Sequence, residues 1–347
     1  MVLDSSSPPV PAWLADADLP VTPDTVGGLL RAAAAAGALD LPLPGSGRTL
    51  TRWLALAELS AANLVLGRLA EAHTDALAIL AELDGPPFDG PPFEGPALES
   101  PAPVGLWGVW AAEPPSARVE AEPGDGGWVL TGRKAWCSGA LVLDRALVTA
   151  HARDGRRLFA VDLRHVTPVA GTWGAVGMAA SGSVSVDLNG APAIAVGGPG
   201  AYLARPGFWH GGCGVAACWY GGALGAARTL LGAARTGSLD PHALAHLGAV
   251  DAVLAGLRAH LAAAADGIDA DPAGPGAQLR AQRLRAAVEA GATEVLDRVG
   301  RALGAGPLCL DPVQAQRAAD LPVYLRQSHA ERDLAALGAL AADQATW

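Results

Sequence analysis

The chain has 347 residues, enough for two or three domains built around sizeable hydrophobic cores. Its net charge of −10 argues against a general nucleic-acid binder and against docking on an anionic membrane. Four cysteines without a C-x-x-C pair are too few for a disulfide framework, and the first 20 residues lack the basic and apolar regions of a secretory signal. We therefore expect a cytoplasmic protein.

The N-terminal part of the chain predicts helices followed by an irregular connection. Residues 21–83 are rich in Ala and Leu, and an apolar periodicity typical of helices runs from 50 to 83, after the break at Gly45-Ser-Gly47. Residues 84–103 are dense in Pro and Gly, which suits neither a helix interior nor a sheet ladder. We interpret residues 1–103 as an α-helical domain that ends in an extended connection.

The middle of the chain, residues 104–200, predicts a β domain. Its strand candidates are short apolar or alternating segments: residues 129–130, 146–150, 158–163 and 183–188. Turn sequences such as Asp154-Gly155 separate these segments. The pattern is typical of a small antiparallel barrel or sandwich.

Residues 201–347 return to helical periodicity and predict a bundle. Apolar residues keep helical spacing on both sides of a Gly- and Pro-rich turn at 269–276. The run 206–227 carries no formal charge apart from a protonatable His210, and its length alone would suit a membrane span. Because glycines interrupt the run, we favour a buried bundle helix.

The most informative stretch lies at 128–140 and reads Trp-Val-Leu-Thr-Gly-Arg-Lys-Ala-Trp-Cys-Ser-Gly-Ala. Residues two apart in a strand face the same side, so we expect Trp136 and Ser138 to face one flat, polar-edged ligand such as a flavin. The stretch resembles a flavin-contacting segment of the acyl-CoA dehydrogenase superfamily. That resemblance implies that Trp136 lies against the isoalloxazine and that Ser138 hydrogen-bonds its N5 and O4 edge. Cys137 belongs to the same cofactor-binding segment, with its side chain expected on the opposite face as a small core residue.

Other segments resemble the same superfamily, in the same order. Residues 109–114 stand where the family has its T-E-P strand, whose backbone contacts the flavin, which implies contacts from Trp110 and Ala112. The family's phosphate-contacting G-x-G-S-D is replaced by a segment with Ser116 and Arg118, a hydroxyl and a guanidinium able to hold a pyrophosphate. Further matches follow at 177–188, 221–225 and 332–333. The resemblance implies FAD as the cofactor.

The resemblance covers the chain from about residue 50 to the C-terminus and implies an α+β, acyl-CoA dehydrogenase-like fold. An N-terminal helical domain, a middle antiparallel β-barrel or sandwich and a C-terminal helical bundle at 201–347 would follow one another. FAD would lie between the middle domain and the bundle. The family also implies a homo-oligomer, a dimer or tetramer, whose subunit boundary contributes to the cofactor site.

The catalytic Glu that the superfamily uses as a base is not found. No carboxylate follows Arg332-Asp333 at the position of the family's E-G-T motif, and the alternative position on the bundle helix is apolar. A base must be a carboxylate of raised pKa or a neutral His, which makes Glu331, His329 and His210 the catalytic candidates. The plainer alternatives are a surface ion-pair network for the first two and a hydrogen-bonded core His for the third.

We expect FAD-dependent oxidation of an acyl thioester or a related small molecule, with a non-standard base. One alternative is a flavin-dependent monooxygenase, with oxygen activated near Ser138 and His73, whose position resembles that of a His in the monooxygenase branch. The other is a catalytically silent subunit that pairs with an active homologue in a hetero-oligomer. His242 and His246 could share a helical face, but no third ligand is evident nearby, so we expect no metal.

Overall fold

The computed structural model describes residues 20–83, 85, 105–124, 127–237 and 239–344. The predicted Pro- and Gly-rich connection and the boundary at residue 103 lie outside the described residues, apart from residue 85. Within them, helices precede and follow a group of β strands, in the order predicted from the sequence.

Side-chain caps define where the first helices begin. These helices are α1 (Pro23–Ala35), α2 (Thr49–Ala62) and α3 (Leu64–Glu82). Thr22 caps α1, and Asn63 separates the next two helices, because its side chain accepts hydrogen bonds from the first N–H groups of α3. At the start of α2, the N–H groups of Gly47 and Thr49 donate to the carboxylate of Asp269, which lies far along the chain.

Seven strands form one sheet that closes into a small barrel. They are β1 (Trp107–Trp110), β2 (Val119–Gly124), β3 (Gly127–Cys137), β4 (Arg145–Ala152), β5 (Gly155–Asp162), β6 (Val166–Val169) and β7 (Val184–Val196). The pairing runs β4-β2-β3-β7-β5, and β5 pairs again with β4, which closes the ring. The prediction of a purely antiparallel sheet is wrong, since β1 and β2 pair with β4 in parallel. The reason is that the chain leaves β3 and crosses to the far side of β2 instead of forming a hairpin.

The helices after the barrel confirm the predicted bundle and its internal turn. They are α4 (Ala201–Ala204), α5 (Pro206–Arg235), α6 (Pro241–Ala270), α7 (Ala277–Leu303), α8 (Gly306–Leu310), α9 (Pro312–Leu325) and α10 (Glu331–Gln344). Proline stands in the first turn of α5, α6, α8 and α9, where its missing N–H leaves no hydrogen bond unmade. The turn predicted at 269–276 separates α6 from α7.

The helices before and after the barrel share one hydrophobic core. Val26 and Leu66 from the first group pack in the same buried cluster as Trp219 from α5. The barrel has a separate interior that includes Leu130 and Phe159. Packing therefore joins the two helical zones that the sequence places at opposite ends of the chain.

Helix α5 lies at the centre of the shared core. A Cβ on Gly221 would collide with the carbonyl oxygen of Ala57, and one on Gly225 would lie 2.5 Å from that of Ala61. These two glycines let the backbones of α5 and α2 approach closely, which explains the uncharged run by burial among helices. Among the described helices, α6 is the one long and apolar enough to cross a membrane, and 22% of its apolar window is buried in the chain.

Candidate active site

Strand β3 loses its regular alternation at the predicted cofactor-binding stretch. Its register against β7 shifts between Lys134 and Cys137, and Trp136 adopts a φ of +56°. Lys134 and Ala135 are both buried, whereas the Trp136 side chain is 56% exposed. A bulge between Lys134 and Cys137 therefore interrupts the alternation of β3 and turns the indole outward, while Cys137 stays buried and Ser138 half-buried. A bulky residue in this backbone region costs about 1–3 kcal/mol, a strain that is typical of functional sites.

Three serine hydroxyls form a hydrogen-bonded chain directly after the bulge. The Oγ atoms of Ser138 and Ser183 lie 2.9 Å apart, and those of Ser183 and Ser181 lie 2.6 Å apart. Ser181 donates its proton to the carbonyl oxygen of Met178 at 2.6 Å. Since each hydroxyl has one proton, Ser183 donates to Ser181 and Ser138 donates to Ser183. Ser138 Oγ therefore offers only lone pairs to a further partner, so it acts as an acceptor.

The backbone around Ser138 is held from two sides. Its carbonyl oxygen accepts a hydrogen bond from the indole N–H of Trp110 at 3.0 Å. The N–H of Gly139 donates to the carbonyl oxygen of Ser181 at 2.7 Å, and Gly139 adopts a φ of +77° that glycine tolerates readily. The predicted residues Trp110, Trp136 and Ser138 are thus brought together by the fold.

A loop before β7 joins the hydroxyl chain to the helical core. The N–H of Met178 donates to one carboxylate oxygen of Asp320 on α9, and Gly177 lies against the carbonyl of Ala319 with no room for a Cβ. Asp320 is 2% exposed, and its other carboxylate oxygen has no hydrogen-bond partner. Burial raises the pKa of Asp320 to about 6. No sequence motif marks Asp320, although its partner Met178 lies in the same loop as Ser181.

The predicted phosphate contacts lie on the connection between β1 and β2. Ala112 is half-buried there, and Ser116 is exposed. The guanidinium of Arg118 is exposed and forms an ion pair with Glu120. Ser116 is open to solvent, but Arg118 would have to share its guanidinium with Glu120, so a phosphate site at these residues stays a prediction.

Cys137 has its side chain inside the barrel. The side chain is 0% exposed, packs among the barrel core residues, and places its Sγ 3.4 Å from the carbonyl oxygen of Lys134. Burial raises the pKa of the thiol to about 12, which leaves it protonated. A cofactor contact through the Cys137 side chain is therefore wrong, and the expectation of a small core residue is confirmed.

Glu331 and His329 lie on the surface at the start of α10. The His329 side chain is 59% exposed, and its Nδ1 lies 3.3 Å from a carboxylate oxygen of Asp333. Glu331 is exposed in the first helical turn, where a carboxylate interacts favourably with the helix dipole. The geometry favours the surface ion-pair alternative over a catalytic role for both residues.

His210 is buried near the beginning of α5. It is 4% exposed, its Nε2 has no hydrogen-bond partner, and burial lowers its pKa, so the imidazole is neutral. It lies nine positions before Trp219, a residue of the helical core, which is about 13 Å along the same helix. No hydrogen bond in the described part of the chain connects His210 with the serine hydroxyls.

His73 connects the helical core to the barrel. It is 4% exposed, and its Nδ1 accepts a hydrogen bond from the N–H of Trp107 at 3.2 Å. Burial lowers the pKa of His73 to about 4, so the ring is neutral and carries its proton on Nε2. This residue ties α3 to β1, three positions before Trp110.

Helix α3 contains a buried ion pair that no sequence motif marks. Arg68 and Glu71 lie 2.8 Å apart, with side chains 11% and 6% exposed. Burial raises the pKa of Glu71 to about 7, and Arg68 opposes that shift. The available signal was four charged residues, Arg68, Glu71, Asp75 and Glu82, in a helix otherwise rich in apolar residues, since buried charges are rare unless they have a role.

Two histidines of α6 were the possible metal ligands in the sequence, which predicted no metal site. His242 is exposed and His246 is half-buried near the start of that helix. Within the ranges that the structure describes, no group of three or more His, Cys, Asp or Glu side chains is arranged to hold a metal ion.

No protein-family model matches the sequence, and no curated protein is similar to it at the level of sequence. Solved structures nevertheless share the fold. The dibenzothiophene monooxygenase TdsC from Paenibacillus sp. A11-2, solved with FMN and indole, has a TM-score of 0.75 at 22% identity, over 92% of this chain and 90% of that chain. Methanesulfinate monooxygenase MsuC from Pseudomonas fluorescens has a TM-score of 0.72 at 19% identity, over 94% and 92%. A nitrososynthase from Micromonospora carbonacea var. africana has a TM-score of 0.71 at 20% identity, over 90% and 88%.

These similarities confirm the coarse fold that the sequence predicted, helices on both sides of a small closed barrel. They cover the helices on both sides of the barrel as well as the barrel itself. At such low identity they establish the fold and leave the reaction to be argued from the site.

Proposed function

We propose that the protein is a flavin-dependent monooxygenase that uses reduced flavin supplied by a separate reductase. The direction of the serine hydroxyl chain carries this proposal, because Ser138 Oγ is left as an acceptor. The N5 atom of an oxidised flavin is itself an acceptor, whereas reduced flavin presents N5–H as a donor. An accepting Ser138 therefore favours the reduced ring. When bound in that form, the flavin supplies the electrons for reaction with oxygen.

The residues of the site fit a flavin. The outward indole of Trp136 offers a flat surface beside Ser138, and the fixed backbone at Gly139 holds the hydroxyl in place. We propose FMN rather than FAD, since Ser116 and an ion-paired Arg118 stand in the sequence where the family has its pyrophosphate-contacting segment. TdsC was solved with FMN, which supports the choice by analogy of fold.

A monooxygenase also agrees with the absence of the usual base. Reaction of oxygen at a reduced flavin needs no group that removes an α-proton. His73 is neutral and buried beside β1, so its Nε2–H suits a hydrogen-bond-donating role that adds no charge. Two of the similar folds, TdsC and MsuC, bear the name monooxygenase.

One observation favours a second candidate function, the oxidation of an acyl thioester. Asp320 is a buried carboxylate with a free oxygen and a pKa raised to about 6, which are the properties of a non-standard base. It lies next to the loop that carries Ser181. In this alternative Asp320, and not Glu331, His329 or His210, would remove the α-proton.

We propose that a second copy of the chain covers α6. This helix is long and apolar, yet only 22% of its apolar window is buried, and Leu244 on it is 50% exposed. A second copy would bury that surface, in agreement with the homo-oligomer expected from the sequence. A hetero-oligomer with a homologue and a cytoplasmic location likewise stay predictions.

The deciding experiment is an anaerobic titration of the purified protein with oxidised and with reduced FMN, followed by calorimetry. We expect reduced FMN to bind at least tenfold more tightly, because Ser138 accepts from N5–H. Ser138→Ala should remove the preference. Ser183→Ala should weaken or reverse it, since Ser138 would then have a free proton to donate to oxidised N5. Ser116→Ala tests the phosphate contact instead and should weaken both forms equally.

Three results would contradict the monooxygenase. Equal affinity for the two forms, unchanged in Ser183→Ala, would remove the observation on which it depends. If acyl-CoAs bleach the bound oxidised flavin in the absence of oxygen, and the Asp320→Asn variant does not bleach, the oxidation of an acyl thioester is favoured. No binding of either flavin by the assembled protein would favour the silent subunit.

A further inference from the structure

A group of buried polar side chains meets inside the helical core, on four different helices. We call this group the bundle cluster: Ser60 on α2, Arg68 and Glu71 on α3, Trp219 on α5 and Tyr324 on α9. Ser60, Trp219 and Tyr324 are at most 2% exposed, and the Arg68 and Glu71 side chains are 11% and 6% exposed. The hydroxyl chain described above does not include any of them.

The members of the bundle cluster contact one another. The Arg68 guanidinium lies 5.8 Å from the centre of the Tyr324 ring, and that ring lies 6.2 Å from the Trp219 ring, edge to face. Ser60 reaches the same place from α2, because its Oγ occupies the position that a Cβ on Gly67 would take. The four helices therefore present these groups to a single region of the core.

Four polar atoms of the bundle cluster lack an oxygen or nitrogen partner: Ser60 Oγ, Arg68 Nε, Trp219 Nε1 and the Tyr324 hydroxyl oxygen. The two hydroxyls reach only the thiol of Cys218, a weak hydrogen-bonding group. Arg68 and Trp219 can only donate, and both hydroxyls are able to donate. Buried polar atoms are almost always satisfied in folded proteins, so four such atoms within one cluster indicate that a bound molecule completes them. The molecule must bring acceptors.

The surrounding charges favour an anion. Arg285 lies 4.6 Å from the Trp219 ring and donates to two backbone carbonyls rather than to a carboxylate. The charges that act on Glu71 come from three arginines and one further carboxylate: Arg52, Arg68, Arg285 and Asp75. Asp333 also acts on Arg285, so three arginines face three carboxylates, but a Glu71 with a pKa near 7 is protonated in part and leaves some positive charge uncompensated.

We propose that the bundle cluster binds the anionic oxygen of an aromatic substrate, a carboxylate or a phenolate. The donors and the excess positive charge recognise the oxygen, and the Trp219 and Tyr324 rings provide apolar contacts for an aromatic ring. The identification of the ligand as a substrate rests on the proposed oxygenase function, whereas binding itself requires no flavin.

Helix α9 connects this site to the serine hydroxyls. Asp320 bonds the loop that carries Ser181, and Tyr324 follows one helical turn later on the same face. Residues four apart on a helix are neighbours, with Cβ atoms about 6 Å apart. A molecule held at Tyr324 would therefore extend towards the hydroxyl chain along α9.

The test uses 4-nitrophenol as a probe of the full-length protein in the absence of flavin. Binding of the phenolate should increase its visible absorption band, because a cationic site favours the ionised form. Benzoate should displace the probe. Nitrobenzene, which has the same ring without the phenolic oxygen, should not displace it.

Matched variants assign the binding to the cluster. The double variant R68M/E71L removes both charges together, which preserves the packing, and should weaken probe binding at least tenfold. Tyr324→Phe should weaken it about tenfold. The controls are R205M/E82L, which removes another buried ion pair, and Tyr220→Phe, which removes a buried hydroxyl elsewhere on α5. Both controls should bind the probe within twofold of the original chain.

The proposal is overturned if neither anion binds, if nitrobenzene competes equally, or if the cluster variants bind the probe as the controls do. In those cases ordered water completes the four atoms. Because the assay involves neither flavin nor turnover, a negative result leaves the FMN preference of the Ser183→Ala and Ser138→Ala variants as a separate test of the oxygenase.

Discussion

The molecule places two glutamates beside cations, a half-buried one against the barrel and a buried one in the helical core, and their carboxylates respond in opposite ways. Burial alone would raise the pKa of both. At Glu113 the neighbouring groups reverse this effect and lower its pKa. At Glu71 burial prevails over Arg68, and the pKa rises to about 7. The presence of a cation is therefore not sufficient to keep a buried carboxylate ionised.

The difference lies in the number of partners. Glu113 accepts a hydrogen bond from Thr149 at 2.9 Å and lies within 3.3 Å of the cationic nitrogens of Lys134 and Arg156. Lys134 in turn donates to the carbonyl and hydroxyl of Thr149, both at 2.7 Å, so its ammonium has three acceptors. Apart from Arg156 Nε, which has no hydrogen bond, this cluster is satisfied and holds the barrel together, whereas the unpartnered atoms around Glu71 indicate a place for a ligand.

Replacing each glutamate by glutamine gives the largest expected difference between the two regions. Glu113→Gln should lower the free energy of unfolding at pH 7 by about 3 kcal/mol, because it leaves two cations without their carboxylate. Glu71→Gln should instead raise it by up to about 2 kcal/mol, since a carboxyl whose folded pKa is near 7 is only half protonated at pH 7 and the amide is never ionised. Urea unfolding followed by tryptophan fluorescence measures both. Similar losses for the two variants would contradict the comparison.

The pH dependence of stability should differ in sign between the two carboxylates. The folded pKa of Glu71 is raised, so its contribution is fully present below the unfolded value, near 4.5, and is lost as pH rises through about 7. The original chain should therefore lose roughly 2 kcal/mol relative to Glu71→Gln between pH 5 and pH 8. The folded pKa of Glu113 is lowered, so its contribution is present at neutral pH and is lost on acidification.

Paired unfolding curves at several pH values check this prediction. A difference between the original chain and Glu71→Gln that stays constant from pH 5 to pH 8 would show that Glu71 does not titrate in that range. Glu58→Gln is a suitable control, because Glu58 lies on the surface in an exposed pair with Arg228.

Removing one hydroxyl from each region gives the smallest expected effects. Thr149→Val should cost about 1–2 kcal/mol, because Lys134 and Glu113 both lose a partner. Tyr324→Phe should be neutral or stabilising by less than about 1 kcal/mol, since its hydroxyl has only the weak thiol of Cys218 as a partner. Thermal unfolding of both variants distinguishes the cases. A Tyr324→Phe loss as large as that of Thr149→Val would place an ordered partner at the Tyr324 hydroxyl.

The parts of the fold that could be predicted from sequence are those that local patterns determine. The periodicity of residues 50–83 and the alternation at 183–188 depend on nearby residues, and both segments adopt the expected structure. The resemblance at 128–140 identifies Trp136 and Ser138 as candidate flavin contacts from the sequence alone. Local patterns also placed the turn between α6 and α7.

The remaining features depend on contacts between distant segments. The bulge at Trp136 arises from the register of β3 against β7, and the parallel pairing of β4 depends on how the chain crosses β2. Asp320 becomes a site residue only because a loop 142 positions earlier donates to it. Glu331 looked catalytic from its neighbours in sequence, but its exposure could not be inferred from them.

The shared helical core has a consequence for how the protein is synthesised. Helices α1 to α3 leave the ribosome before the whole barrel does, yet the helix on which they pack, α5, begins only after β7. During that interval the apolar faces that later pack on α5 have no partner. Exposed apolar surface of this kind favours aggregation and recruits chaperones. A chain that ends after β7 should therefore form a barrel but accumulate as insoluble material, and its recovery should depend on adding α5 rather than on lower temperature.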